Sequence, residues 1–444
     1  MEKIVSLAKR RGFVFQSSEI YGGLNGCWDY GPLGVELLRN IKDQWWNAMT
    51  LREDVEGIDA SILMHPRVWE ASGHVEHFTD PMVDCKECKA RFRADQIEDA
   101  MCGSPAYKGR KALKCQAENK FTEARKFNLM FKTFVGPVED SGAVVYLRPE
   151  TAQGIFVNFL NVQSASRQKP PFGIAQIGKA FRNEINTKNF LFRTREFEQM
   201  EMQFFVKPGS DDEWFEYWRQ QRYEWFTRLG LTKEKLRWHQ HEPDALAHYA
   251  KDAYDIEYEF PFGWGEIEGV HNRTDYDLSR HEEYSGKALK YFDDQTKEKY
   301  TPFIIETSAG ASRSLMAFLV DAYREEEAPT ADGKAETRVV MKFHPSLAPL
   351  KAAIFPLVNR DGMPELAKKV ETDLRKHMRV FYDDSGAVGR RYRRQDEIGT
   401  PFTITIDSDS LNDQTVTVRD RDTMVQDRVS MDALRLFLIE RLTS

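Results

Sequence analysis

The sequence predicts an α+β protein, with a large domain built on a mixed, mainly antiparallel sheet and a smaller α/β module after it. Three observations support this fold class. Helical and strand periodicities are interleaved along the chain, several predicted strands are adjacent in sequence, and the last part of the chain alternates strand, helix and strand. The chain has 444 residues, of which 41% are hydrophobic, which is enough material for more than one packed domain.

Composition and charge exclude several classes of protein. Five cysteines are too few for a secreted disulfide scaffold, and charged residues near the start interrupt the apolar core that a signal peptide needs. We therefore expect a cytoplasmic protein. No run approaches the roughly 18 to 20 apolar residues that span a bilayer, so membrane insertion is not expected. The net charge of −7 argues against general coating of nucleic acid and permits only local basic contacts.

Two domains and two inserts are predicted. The first domain covers residues 1–335 and the second covers 345–444, because charged residues, proline and glycine break the pattern between them. One insert, at about 80–130, is basic and contains four of the five cysteines. The other insert, at 207–262, contains a helix rich in tryptophan and tyrosine.

The second domain has a clear pattern of elements. The periodicity predicts, in chain order, a strand at 351–358, a helix from Pro364, a strand at 379–382, strands at 402–406 and 415–419, and a helix from Met431.

Polar residues follow the alternation of a long predicted hairpin at 173–184 and 192–205. Gln176, Arg182 and Glu184 are expected to share one face of the first strand. Gln199, Glu201 and Gln203 are expected to share one face of the second. A solvated sheet face would also fit this pattern, but so many polar side chains among apolar ones favour a face that binds a polar ligand.

A second constellation lies at 302–313, where an apolar strand ends in small residues and leads into a helix. Small residues allow a ligand to approach the backbone, and the N–H groups of the first helical turn attract anions. Arg313 would add a positive charge there. A solvated arginine at a helix start is the alternative.

These segments resemble a known family. Phe181-Arg182-Asn183-Glu184 with Arg195-Glu196-Phe197 resembles motif 2 of the class II aminoacyl-tRNA synthetases, and Gly310-Ala311-Ser312-Arg313 resembles motif 3. Longer strings resemble the homodimeric glycyl-tRNA synthetases within that class, and the resemblance covers nearly the whole chain; these strings lie at 61–74, 127–131, 146–156, 306–310 and 393–401.

The resemblance implies a class II synthetase fold for 1–335 and an anticodon-binding domain for 345–444. It also implies an activity, the ATP-dependent attachment of glycine to tRNA(Gly) through a glycyl-adenylate, with ATP and Mg²⁺ required and a homodimer as the assembly. Two alternatives remain at this stage. The chain could be a class II synthetase for another small amino acid such as serine, threonine or proline, or an inactive relative that binds nucleic acid.

By the same resemblance, Arg182 and Arg313 are the catalytic residues, holding the α- and γ-phosphates of ATP. Phe197 would stack on adenine, and Glu266 would help to place Mg²⁺. The implied ATP-binding residues are Arg182, Asn183, Glu184, Phe192, Arg193, Thr194, Arg195, Glu196, Phe197, Glu266, Ile267, Gly310, Ala311, Ser312 and Arg313.

Glycine has no side chain to grasp, so a selective pocket must exclude larger amino acids sterically and hold the ammonium group by charge. Glu150, Glu201 and Glu306 are suitable anchors. The implied glycine-binding residues are Arg93, Glu150, Phe197, Glu198, Gln199, Met200, Glu201, Glu306, Thr307, Ser308, Ala309 and Gly310.

Two further features have open interpretations. Cys85 and Cys88 have the spacing of half a zinc site, which Cys102 and Cys115 would complete with an irregular spacing. Zinc binding and a metal-free basic insert that contacts RNA are both compatible with this pattern. The arginines around Tyr392 at 390–394 are compatible with a solvated surface or with phosphate contact and base stacking; their domain favours RNA.

Overall fold

The computed structural model describes residues 1–98, 112, 121–187, 189–244, 246, 250–329 and 335–443. Their helices are α1 (Glu2–Arg10), α2 (Pro32–Thr50), α3 (Pro66–Ala71), α4 (His74–His77), α5 (Ala152–Phe156), α6 (Phe159–Ser166), α7 (Asp211–Arg228), α8 (Tyr276–Ser285), α9 (Ala311–Ala322), α10 (Met363–Leu374), α11 (Val388–Ile398), α12 (Ser408–Asp413) and α13 (Met431–Thr443).

The strands of the described residues are β1 (Val14–Gln16), β2 (Trp28–Tyr30), β3 (Val55–Gly57), β4 (Thr79–Asp84), β5 (Arg91–Arg93), β6 (Arg125–Asn128), β7 (Lys132–Phe134), β8 (Val144–Tyr146), β9 (Phe172–Phe181), β10 (Glu196–Val206), β11 (Leu236–Gln240), β12 (Asp252–Phe260), β13 (Gly263–Thr274), β14 (Tyr291–Phe292), β15 (Lys299–Tyr300), β16 (Phe303–Gly310), β17 (Tyr323–Pro329), β18 (Ala335–Met341), β19 (Ala352–Pro356), β20 (Val380–Tyr382), β21 (Phe402–Ile406), β22 (Thr415–Asp420) and β23 (Gln426–Ser430).

The chain divides into two compact units, each assembled from separate segments. The first unit contains residues 1–53, 212–272 and 306–444, and the second contains 54–211 and 273–305. The chain passes between the units within the strands β13 and β16. The domain boundaries predicted at 335 and 345 stay a prediction.

The second unit contains the predicted hairpin. β9 pairs antiparallel with β10, so that Gln176 lies opposite Glu201, and β3 pairs parallel with β9. The strand β9 ends at Phe181, so Arg182 and Glu184 lie just beyond it and do not share its face as expected. The hairpin packs on α5, α6 and α8 through a buried apolar cluster of Ala152, Ile155, Phe156, Phe159, Phe172, Ile174, Phe205, Leu278, Leu289 and Ile304.

In the first unit, β11, β12 and β13 form an antiparallel array with a bulge between Ile256 and Glu257. The predicted aromatic helix is α7, and its Trp218 and Trp225 are buried. α7 also contributes Arg222, whose guanidinium pairs with the Glu268 carboxylate of β13 at 2.6 Å; both side chains are fully buried. This pair fixes the helix against the strand that carries Glu266.

The C-terminal part of the first unit is the predicted α/β module. Its sheet has the order β20-β19-β21-β22-β23, with β19 parallel to both neighbours and the remaining pairs antiparallel. Among the described residues, one apolar cluster of the module lies within 352–442 and includes Ile354, Ile404 and Leu438. The helix α11 and the strand β23 are additions that the sequence pattern did not predict.

The segment predicted as a boundary forms a hairpin instead of an irregular linker. β17 pairs antiparallel with β18 and places Glu326 opposite Arg338. Four consecutive charged residues lie in β17 and two more lie in β18, and this charge hides the strand pattern in the sequence. Among the described helices, none is both long and apolar enough to cross a membrane.

Candidate active site

Arg182 is held at the end of β9 by contacts that fix its side chain. Its Nε donates a hydrogen bond to the carbonyl of Pro149 at 3.0 Å. The guanidinium lies 5.4 Å from the ring centres of both Phe78 and Phe197, which places it between two aromatic rings. Such cation–π contacts orient a guanidinium without neutralising its charge. Arg182 can therefore present a positive charge to an anion.

The loop after β9 is ordered by backbone contacts to its neighbours. Arg182 N–H donates to the Arg195 carbonyl at 2.9 Å, and the Arg195 Nε donates to the Glu184 carbonyl at 3.0 Å. Asn183 N–H donates to the Leu129 carbonyl at 2.7 Å. Thr194 Oγ1 donates to the Glu196 carbonyl at 3.0 Å. Arg182, Glu184, Thr194 and Arg195 are therefore joined to one another and to β10, and the predicted contacts of Phe192 and Arg193 with ATP stay a prediction.

The strand β10 separates the predicted glycine-binding residues onto two faces. Phe197, Gln199 and Glu201 share one face because side chains alternate along a strand. Glu198 and Met200 lie on the other face, so their side chains do not share the face of Glu201. Since Gln199 and Glu201 are buried, the first face offers polar groups in an enclosed place.

Glu201 is the most enclosed of these carboxylates, with 1% of its surface exposed. It accepts hydrogen bonds from Thr151 Oγ1 and, at 2.8 Å, from Gln203 Nε2. Gln199 Oε1 accepts the Thr151 N–H at 3.1 Å. A buried carboxylate is stable only where such donors or a cation compensate its lost hydration. The donors from Thr151 and Gln203 therefore offset the lost hydration of the Glu201 carboxylate.

Glu150 precedes Thr151 and is also prepared to carry a charge. Its carboxylate lies 3.4 Å from His74 Nε2 and accepts a hydrogen bond from Gln153 Nε2 at 2.9 Å. Burial acts to raise the pKa of Glu150, but the charge and hydrogen bond of His74, with Arg273 and Gln153, lower it to about 2. Glu150 is therefore ionised at neutral pH.

A network that the sequence did not reveal supports Glu150. Gln153 Nε2 lies 3.3 Å from Asp277 Oδ1, and Gln153 Oε1 lies 2.8 Å from His281 Nε2. Asp277 in turn pairs with Arg273 at 2.8 and 2.9 Å, and both side chains are buried. Gln153 lies in the segment 146–156 that resembles the family. Nothing in the sequence around Arg273, Asp277 and His281 indicates a role in the site.

Arg93 is engaged by acidic neighbours in the second unit. Its guanidinium lies 3.0 Å from Asp80 and 2.7 Å from Asp95. Burial raises the pKa of Asp80, and Arg93 acts against that rise. The predicted contact of Arg93 with glycine stays a prediction.

In the first unit, Arg313 and Glu266 meet. Arg313 lies in the first turn of α9, and its guanidinium is 3.0 Å from the Glu266 carboxylate and 3.1 Å from the Glu266 carbonyl. An added Cβ on Gly310 would lie 3.5 Å from the Arg313 side chain, in ordinary contact. The predicted helix start is confirmed. Ile267 is buried and Glu266 is partly exposed, as expected for neighbours on a strand.

The remaining residues of the third predicted motif are placed by α9 and β2. Ser312 Oγ lies 2.7 Å from the Tyr30 hydroxyl, and Ala311 is fully buried. On β16, Glu306, Ser308 and Gly310 share one face, while Thr307 and Ala309 lie on the other. Glu306 accepts a hydrogen bond from His271, a residue that the sequence analysis did not single out.

The residues around Glu266 fit a magnesium ion. Mg²⁺ usually takes one or two protein carboxylates and completes its shell with water and substrate phosphates. Glu266 is a partly exposed carboxylate, and its charge contributes, after burial, to a raised pKa of Asp255. A cation would relieve that repulsion. Glu266 is the residue that would hold the ion, and bound Mg²⁺ would offset negative charge on the phosphates.

The cysteine pair has the geometry of a tight turn. Cys88 N–H donates to Cys85 Sγ at 3.5 Å, and Cys85 N–H donates to the Ala90 carbonyl at 2.9 Å. Cys102 and Cys115 lie outside the described residues. Within the part of the chain that the structure describes, no group of three or more His, Cys, Asp or Glu residues could hold a metal ion. Zinc binding stays a prediction.

The arginine run lies on α11 and is largely used within the protein. Arg391 is buried and donates to the carbonyls of Asp384 and Gly386, and Arg394 pairs with Asp383 at 2.7 Å. The Tyr392 hydroxyl lies 2.5 Å from Thr405 Oγ1 and its ring packs on Phe355. The expected phosphate contact is therefore wrong for the buried Arg391.

Two family models match the chain. The model of the tRNA synthetase class II core domain (G, H, P, S and T) matches residues 131–323, and the anticodon binding domain model matches residues 351–441. The first match contains Glu150, Arg182, Glu201 and Arg313. Fold and site together define a class II tRNA synthetase.

Curated proteins named glycine–tRNA ligase are similar over nearly the full length. The protein from Treponema denticola is 60% identical over 97% of this chain and 94% of its own. The protein from Borreliella burgdorferi is 57% identical over 99% and 96%, and that from Streptomyces coelicolor is 55% identical over 100% and 98%. The chain belongs to the glycine–tRNA ligase family.

Proposed function

We propose that this chain joins glycine to tRNA(Gly) in two steps, using ATP. In the first step, a glycine carboxylate oxygen attacks the α-phosphorus of ATP, and pyrophosphate leaves as the glycyl-adenylate forms. In the second step, a hydroxyl of the terminal tRNA ribose attacks the glycyl carbonyl. The hydroxyl loses its proton, and the bond between the glycyl carbonyl carbon and the phosphate oxygen breaks. AMP leaves with the electrons of that bond.

The buried carboxylate of Glu201 is the observation that carries this proposal. It lies on the same hairpin as Arg182, with Phe197 between them in sequence. The hairpin therefore carries a group that attracts an ammonium and a group that attracts a phosphate. Glycine at neutral pH has an ammonium to hold and a carboxylate that is already a nucleophile, so no general base is needed for the first step.

Charge stabilisation supplies the catalysis. Arg182 is oriented before substrate binds, so its positive charge can act on the phosphate oxygens as negative charge develops on them. Arg313 would act on the γ-phosphate. Preorganised cations and correct orientation of the two reactants are together sufficient for phosphoryl chemistry of this kind.

Selection of glycine follows from charge and size. Glu150, Glu201 and Glu306 would hold the ammonium group. Larger amino acids would be excluded by close packing, since forcing a methyl group into a packed site costs about 1 to 3 kcal/mol. The pocket can therefore discriminate against alanine without a separate editing step.

Four further features complete the proposal. Mg²⁺ accompanies ATP, with Glu266 as its protein ligand. The assembly is a homodimer, and the enzyme works in the cytoplasm, where tRNA and reduced cysteines occur together. The module at 345–444 contacts the anticodon end of tRNA(Gly).

Charging of tRNA with labelled glycine tests this function. The purified chain should transfer glycine to a tRNA(Gly) transcript only when ATP and Mg²⁺ are both present. A transcript for alanine should accept none, and labelled serine or threonine should not be transferred. Transfer of serine, threonine or proline in place of glycine would support the alternative of another small amino acid, which no observation on this chain favours.

A further inference from the structure

A row of four side chains in the first unit ends at Glu306. His271 Nδ1 lies 2.6 Å from Glu306 Oε1. On the far side of the ring, His271 Nε2 is 4.0 Å from Asp255 Oδ1, while Asp255 Oδ2 is 2.8 Å from His241 Nε2. Imidazole and carboxylate groups therefore alternate from His241 to Glu306.

The direction of the hydrogen bond follows from its partners. An ionised carboxylate can only accept, so His271 Nδ1 carries the proton and donates it. The Glu306 side chain is only 5% exposed, and the His271 ring is 21% exposed. A buried carboxylate loses much of its hydration, and a donor at this distance compensates that loss. The bond also fixes one carboxylate oxygen in space.

The backbone leaves room for the ring at one position. A Cβ added to Gly269 would lie 2.9 Å from Cε1 and Nε2 of His271 and 3.4 Å from Asp255 Oδ1. The first distance is shorter than real Cβ contacts. Gly269 and His271 lie two residues apart on β13 and so share a face. The glycine therefore makes space for the imidazole that holds Glu306.

We propose that His271 is a positioning residue for glycine recognition, which holds the Glu306 carboxylate in the orientation that receives the substrate ammonium. The inference rests on the proposed function, in which Glu306 is one anchor of that ammonium. His271 acts through Glu306 and contacts no reacting atom. A carboxylate that can rotate would spend part of its time in orientations that do not meet the ammonium.

Two substitutions at His271 separate positioning from general packing. His271→Ala removes the donor and should raise the glycine KM about tenfold, which is the size of one hydrogen bond to a charged group. The KM for ATP and the kcat should change less than about twofold, because neither depends on the ammonium contact. His271→Asn places an amide N–H near the position of Nδ1, and should bring the glycine KM back to within about threefold of the parent.

Gly269→Ala tests the same contact without changing the imidazole. It should raise the glycine KM in the parent and have no further effect in His271→Ala. Because His271 acts through Glu306, the double variant His271→Ala/Glu306→Gln should bind glycine no worse than Glu306→Gln alone. A melting curve of each variant shows that it is folded, and Gly269→Ala with His271→Asn provides the test if His271→Ala does not fold.

The outcomes are distinct. If Glu306→Gln raises the glycine KM but His271→Ala does not, the positioning role is wrong and the proposed function stands. If Glu306→Gln leaves the glycine KM unchanged, the anchor itself is wrong and the role of His271 falls with it. A folded His271→Ala that weakens ATP and glycine equally, without rescue by asparagine, would make His271 a packing residue only.

Discussion

The guanidinium of Arg182 is oriented by neutral groups. Two aromatic rings and the carbonyl of Pro149 contact it, and the described contacts include no carboxylate partner. By contrast, Arg93 is paired with Asp80 and Asp95. An arginine held by rings keeps its full field for a phosphate, whereas Arg93, and likewise Arg313 beside Glu266, shares its charge with a carboxylate. The contrast supports Arg182 as the phosphate ligand of the hairpin.

Arg182→Gln should abolish most of the glycine-dependent exchange of pyrophosphate into ATP while the protein remains folded. The glutamine removes a fixed positive charge from the phosphate, and loss of one such group costs on the order of 10² to 10³ in rate. Lys179→Gln, on the neighbouring strand β9, is the matched control, since its pair with Glu196 is exposed. A rate for Arg182→Gln within threefold of the parent would refute its role.

Glu201→Gln should raise the glycine KM and leave the KM for ATP unchanged, because the amide keeps the shape but removes the charge opposite the ammonium. Initial rates at varied glycine and varied ATP measure the two constants. Glu198→Gln, from the other face of the same strand, should change neither constant. If ATP binding weakens while glycine binding holds, the assignment of this strand to the amino acid is wrong.

At the scale of elements, a buried ion network joins α11, the β17–β18 hairpin and β22. Asp396 lies 2.9 Å from Arg338 and 2.9 Å from Arg419. The side chains of Asp396 and Arg338 are at most 1% exposed, and that of Arg419 is 7% exposed. Asp396 is the carboxylate that the two arginines share, while Arg338 also pairs with Glu326, so the loss of Asp396 weakens the charge compensation of both.

Asp396→Asn should destabilise the module, because it leaves two buried guanidinium groups without their shared carboxylate. Breaking a buried pair typically costs about 3 to 5 kcal/mol. Thermal melting followed by circular dichroism should show a clear loss, while Asp373→Asn, from an exposed pair with Lys376, should melt like the parent. Equal melting of the Asp396 variant and the parent would mean that the network contributes nothing to stability.

The sequence predicts those helices and strands whose pattern lies within their own residues. The strand β21 was predicted with its observed bounds because Thr and Ile alternate within it, and the helix from Met431 began where expected. The sequence pattern indicates only a charge run at α11, since partners of its arginines, such as Asp383 for Arg394, are not identified by any local pattern.

The candidate site likewise contains some residues that the sequence predicts and others that it does not. Gln176, Glu201 and Gln203 followed from strand alternation. His271 and Asp277 did not, because their partners Glu306 and Gln153 are 35 and 124 residues away in the chain. Contacts at such separations are set by the tertiary fold, and a single sequence carries no signal for them.

At the scale of the whole molecule, an apolar cluster of the module is formed, among the described residues, within 352–442. Ion pairs join the module to α1 through Arg10 and Arg11 with Glu397, and to β18 through Arg338 with Asp396. An apolar cluster of its own is typical of a domain that can fold apart.

The fragment 1–340 should therefore retain exchange activity within about tenfold and charge tRNA at least about a hundredfold more slowly, because it lacks the phosphate contacts of the module. In this fragment Arg338 has lost its partner Asp396, and a second form of the fragment with Arg338→Met removes that guanidinium. A cooperative melting transition of the fragment, with or without this substitution, must be shown before its activity is measured. A folded fragment that charges tRNA as well as the parent would mean that the module does not read the RNA.

The central claim is that one site activates glycine and no other amino acid. Exchange of labelled pyrophosphate into ATP, measured with each of the standard amino acids in turn, tests it most directly. The buried carboxylates Glu150 and Glu201 predict exchange with glycine, and close packing predicts none above background with alanine or serine. Exchange with alanine or serine at the rate seen with glycine, or no exchange with any amino acid, would contradict the account.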